Sequence, residues 1–142
     1  MAIVTTSKAK VVAVYFSGDP SIKIKPKAAE ARKATQVART MRGKDEADRP
    51  AVEAAPLEAC FLTSDEVTAG ADATRFDIRA LSWIEYQEAE AMPPEAQIAR
   101  HIEHGLVAID GSEQRAAEFR QFPVAQLVIP LYRAVVDLTW GN

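Results

Sequence analysis

The run from Pro123 to Trp140 constrains this chain more than any other stretch. Leu127, Leu131, Val135 and Leu138 recur at spacings of four, four and three, the apolar stripe of an amphipathic helix. Val124, Val128, Ile129 and Val136 widen that stripe, so the helix needs cover on more than one side. Pro130 lies inside it, where it removes the hydrogen bond to the Gln126 carbonyl. The expectation is a kink near Gln126–Pro130 or a break into two short helices. Since 142 residues make about one small domain, a body of this size is expected to leave part of the surface for another chain.

Charge divides the chain unevenly. Up to Arg49 there are eleven basic residues against five acids; from Pro50 onward six arginines meet fifteen acids. Every lysine lies at or before Lys44, and the whole chain carries a formal charge of −3. Such a split points to a basic arm that reaches an acidic surface, either nucleic acid or an acidic subunit. Tyr15 and Phe16 are adjacent in an extended run and point to opposite faces, which gives no stacking platform for bases. Nucleic acid is therefore the weaker expectation, and any such contact is expected to be salt-sensitive.

The remaining elements read as an α+β fold. Lys10–Phe16 is a strand candidate rich in β-branched residues, closed by Gly18-Asp19-Pro20. Ser21–Lys25 alternates apolar with basic, and the two runs are expected to form an N-terminal β-hairpin over residues 1–26. Residues 27–56 are alanine-rich and charged, with only Val37 and Met41 as large apolar side chains in the helix-forming part; they are expected to be a linker, an exposed helix or a partner-ordered arm. A compact domain is expected over 57–142, a small strand pair packed with three to four helices. Its strand candidates are Leu57–Thr63 and Arg75–Leu81, the latter with Phe76 and Ile78 on one face. Ser82-Trp83-Ile84-Glu85 has the spacing of a capping box and opens a helix to about Met92, with Trp83 or Ile84 turned inward. Pro94 starts the next helix, which carries Ile98 and Ile102 and is capped by Gly105. Leu106–Ile109 follows as a short extended run ended by Asp110-Gly111.

Chemistry-bearing patterns are few. His101 and His104 stand three apart, a spacing that can bring two imidazoles to one metal, but no further ligand set accompanies them. Solvent-facing polar residues at a helix end are the expectation, with no metal and no cofactor. Cys60 sits in an apolar run and reads as a small core residue. No glycine-rich phosphate loop and no singled-out carboxylate pair supports an enzyme. A lone cysteine, no apolar run of about 18 residues, and an N-terminus without the layout of a secretory signal point to a soluble cytoplasmic protein.

Against this background, the C-terminal half resembles small morphogenesis proteins of tailed bacteriophages. Arg75-Phe76-Asp77-Ile78-Arg79-Ala80-Leu81-Ser82-Trp83-Ile84-Glu85-Tyr86 is similar to their strand-then-capped-helix opening. His101–Gly111 resembles their helix, Gly-Leu-Val and short-loop junction, and Phe122–Leu138 their proline-led final helix. The resemblance implies a non-enzymatic assembly protein like a tail assembly chaperone, working in the host cytoplasm by contact with other phage proteins, as an oligomer or hetero-complex. The alternatives are a minor structural component of the virion, with Lys10–Lys25 adding a hairpin to a neighbour's sheet, and a nucleic-acid-associated protein. The expected contact residues are Trp83, Tyr86, Leu127, Leu131, Val135, Leu138 and Trp140, together with Lys23 and Lys25 of the basic arm.

Overall fold

A computed structural model describes residues 10–141. In chain order the elements are β1 (Val11–Phe16), β2 (Ile22–Ile24), α1 (Pro26–Met41), a 3-10 turn (Glu46–Asp48), α2 (Arg49–Ala54), β3 (Phe61–Thr63), β4 (Val67–Ala69), β5 (Phe76–Arg79), α3 (Trp83–Glu90), α4 (Pro94–Gly105), β6 (Leu106–Ile109), α5 (Glu113–Gln121) and α6 (Ala125–Thr139). The class is α+β, with strands early and helices in the C-terminal half. The main sheet is antiparallel in the order β3-β1-β5-β6, and β2 pairs with β4 in a second, two-stranded sheet.

The expected N-terminal hairpin is therefore corrected: β1 and β2 lie in different sheets. The reason is visible in their side chains. Val-Val-Ala-Val-Tyr-Phe is apolar on both faces and suits a central strand, whereas β2, with Lys23 exposed between Ile22 and Ile24, suits an outer position. Asp19 makes the turn between them, its carboxylate accepting from Ser21 N–H at 2.8 Å and Thr74 N–H at 2.9 Å. The expected pairing of the 57–63 and 75–81 runs is corrected too, because β1 inserts between β3 and β5. Because β1 lies between β3 and β5, Val11–Phe16 is not free to join a neighbour's sheet edge, and residues 1–9 of the expected hairpin segment lie outside the described residues.

Of the alternatives for residues 27–56, the helix is the one observed, over α1 and α2. Polar contacts do what the thin apolar stripe cannot. Buried Gln36 donates to the Pro56 carbonyl at 2.9 Å and accepts from Glu58 N–H at 2.8 Å. Arg32 clamps Glu66 with two hydrogen bonds of 2.8 and 2.6 Å, and Val52 of α2 is buried. A bidentate arginine–carboxylate pair fixes direction as well as distance.

Two cores result. On one face of the main sheet, Val14, Phe61, Phe76 and Ile78 meet Ile102, Leu106, Phe119, Leu131 and Val135 from the C-terminal half. Behind the sheet, Leu62 packs with Ile22 and Val67 of the small sheet, flanked by Tyr15 and Cys60. Gly105 belongs to the first core and is not a cap. A Cβ there would lie 2.5 Å from a methyl of Val135, so α4 and α6 meet closely only because this position is bare. The α5 helix had no counterpart in the sequence reading; Ser112 caps it by accepting from Arg115 N–H at 3.1 Å. The turn before it places both Asp110 and Gly111 at positive φ. α6 runs unbroken through Pro130. Its lost hydrogen bond falls on Gln126, which is exposed, so water can satisfy that carbonyl.

Candidate surface for protein contact

The C-terminal stripe divides where the sequence treats it as one surface. Leu131 and Val135 are fully buried in the chain's own core, and Leu127 and Leu138 are half-buried against it. As contact residues for another chain, Leu131 and Val135 are corrected: the main sheet and α4 already cover them. Leu127 and Leu138 likewise point into that core and add little outside it. Trp140, just beyond α6, stays 57% exposed.

Trp140 is one end of an aromatic ridge. Its ring meets Tyr86 edge-on at 5.0 Å between centroids, and Tyr86 stacks on Trp83 at 6.1 Å. Trp83 is 66% exposed and Ile84 beside it is also open, so neither turns inward as expected. The capping box explains this. Ser82 Oγ accepts from Glu85 N–H at 3.2 Å and Glu85 Oε1 accepts from Ser82 N–H at 2.8 Å. That pairing sets the phase of α3, which turns Tyr86 and Ala89 toward the body and its first two residues outward. At the C-terminal end of α6, Leu81 N–H donates to Thr139 Oγ1 at 3.0 Å, tying the strand–helix junction to the residue before Trp140.

Charge pins the ridge from beneath. Arg79 donates twice to Glu85, at 2.9 and 2.8 Å, and His104 Nδ1 lies 2.9 Å from Glu85 Oε2. These hydrogen bonds from Arg79, with the Ser82 amide and the positive charges, hold the Glu85 carboxyl at about 2, against an opposing push from burial. His101 is buried, not solvent-facing. Its Nδ1 lies 2.7 Å from the Gln97 carbonyl, and its ring meets Tyr132 and Tyr86 edge-on at 5.0 and 6.4 Å. Among the described residues no group of three histidine, cysteine or acidic side chains is placed to hold a metal. Cys60 is half-buried, and that burial pushes its thiol up.

The ridge is flanked by acid. Glu90 follows Tyr86 by one turn and Glu88 follows Ile84 by one turn; both are exposed. Partial desolvation, and then the neighbouring Glu90 carboxylate, raise the Tyr86 phenol above its ordinary value. Lys23 and Lys25 are exposed as expected, and Lys27 in the first turn of α1 extends them. Among the described residues every ion pair is made by arginine or His104, and none by a lysine. Ile84, Lys27, Glu88 and Glu90 are not among the contact residues expected from the sequence. The phase set by the capping box was the available signal for the first of them. A second exposed apolar site, Phe122 and Val124, lies at the α5–α6 junction. Among the described residues no single helix is long and apolar enough to cross a membrane. Compared with known proteins, the chain matches no family model, no curated protein and no solved structure.

Proposed function

We infer that this chain is a non-enzymatic assembly protein that acts by protein–protein contact, in the manner of a tail assembly chaperone in a phage-infected cytoplasm. The observation that carries the contact reading is the Trp83–Tyr86–Trp140 ridge. Two large rings stand in water while the capping box, the Arg79–Glu85–His104 network and the Thr139 tie hold their supports in place. Tryptophan and tyrosine make effective anchors because they bury a large area while few torsions are frozen, and a rigid support lowers the cost of ordering them. The phage setting comes from the resemblance of the C-terminal half.

The test is a W83A/W140A variant of the full chain, expressed beside the tail proteins of its source. Loss of co-purification with a defined tail subunit, with the circular-dichroism spectrum unchanged, is the expected result; retained co-purification overturns the reading. Mature particles from that source are expected to hold almost none of the chain. Stoichiometric copies by mass spectrometry would favour the virion-subunit alternative. The exposed lysines sustain the nucleic-acid reading as a competitor, and retention on DNA that ignores salt between low and physiological levels would remove it.

A further inference from the structure

The two unpartnered surfaces of this chain complement each other, and they belong to different parts of the fold. The ridge presents the exposed rings of Trp83 and Trp140 with the exposed carboxylates of Glu88 and Glu90, neither of which enters an ion pair among the described residues. The other surface presents Lys23, Lys25 and Lys27, all exposed and free of any carboxylate partner among the described residues. Lys23 sits on the small sheet, whose core is Ile22, Leu62 and Val67, and Lys25 and Lys27 lead into α1. The ridge stands on the other core, on α3 and the end of α6. An ammonium group over an indole face, beside a carboxylate, is held by the ring quadrupole and by charge together.

We propose that the ridge of one copy receives the Lys23–Lys25–Lys27 strip of a second copy, head to tail. This rests on the reading of the ridge as a contact surface and names its occupant. Charge complementarity carries the choice: the chain holds all its lysines in its first third and most of its acids beyond it, while the net charge of −3 leaves little overall repulsion between copies. A head-to-tail contact of this kind is heterologous, and successive copies extend into a ring or an open filament. Screening by salt weakens it.

Sedimentation velocity of the full chain tests this at low and at high salt. Concentration-dependent species larger than a dimer are expected at low salt, and their loss at high salt. Two variants, W83A/W140A and K23E/K25E/K27E, each weaken self-association at least about tenfold. Mixed together, they form a dimer and nothing larger, because each contributes the surface the other lacks. The lysine variant changes exposed side chains alone, so it remains informative if the tryptophan variant misfolds. A wild-type monomer at every concentration, association indifferent to the lysine reversal, or a mixture that stays monomeric overturns the proposal. Should the monomeric chain still need Trp83 and Trp140 to bind a tail subunit, the contact reading stands and only the second copy is removed as occupant.

Discussion

Two aromatic chains run through this molecule, built from the same kind of contact and placed on opposite sides of its surface. Inside, Phe16, Phe61, Phe76 and Phe119 follow one another at centroid distances of 5.5, 5.0 and 6.2 Å, the last two contacts edge-to-face. Outside, Trp83, Tyr86 and Trp140 follow at 6.1 and 5.0 Å. The inner chain links β1, β3, β5 and α5, so its burial is what closes the sheet on the helices. The outer chain adds little to that closure. Its rings are ordered by a cap and an ion network that would be superfluous if their only task were to cover apolar surface. Similar ring geometry thus serves stability in one place and recognition in the other, and water access is the difference.

Substitutions can break this comparison in a graded way. Truncation of the inner chain, F61A or F76A, is expected to cost about 3–5 kcal/mol in urea unfolding, because each leaves a cavity in a sealed core. A loss below about 1 kcal/mol would mean that the inner rings do not close the sheet. At the α4–α6 crossing, G105A gains helix propensity but drives a methyl into Val135. A net loss of about 1–3 kcal/mol is expected, recovered in part by V135A on the same chain. Full additivity of the two in a double-mutant cycle would contradict the close approach.

The ion network under the outer chain is read by pH. Glu85 titrates at about 2 in the folded chain against an ordinary value of 4.5, so the unfolded chain binds its proton first. Its contribution is fully present above about pH 4.5 and is lost as the pH falls toward 2. E85Q is expected to lower stability by about 1–2 kcal/mol at neutral pH and to flatten the decline over that window. An unchanged acid limb in thermal melts would separate Glu85 from the network. The smallest effect belongs to the outer rings themselves. W83A/W140A should shift stability by less than about 1 kcal/mol while removing association, the inverse of F61A.

What the sequence discloses follows the range of the interactions. The capping box at Ser82–Glu85 and the alternation of Phe76 and Ile78 are local, and both stand in the structure as read. The pairing of β1 is not local: nothing near Gly18 says that its partners are Phe61–Thr63 and Phe76–Arg79. α1 is legible only as one alternative, an exposed helix, beside a linker or a partner-ordered arm, because its anchors are polar and remote, Gln36 reaching the Pro56 carbonyl and Arg32 reaching Glu66. The stripe of α6 was legible as a stripe, but its cover is the chain's own sheet at Leu131 and Val135. Trp83 and Trp140 were read as contact residues from their size and position. The lysine strip is visible in the sequence as charge; that it makes no ion pair among the described residues emerges only from the folded geometry.

The chain contains just two tryptophans, and both lie on the ridge, so their fluorescence reports this surface alone. In the dilute chain at high salt, long-wavelength emission that acrylamide quenches readily is expected. On concentration at low salt, a shift to shorter wavelength and protection from the quencher are expected, both absent in K23E/K25E/K27E. Emission already blue-shifted and protected in the dilute monomer would contradict an open ridge, since the indoles would then be covered before any second chain arrives.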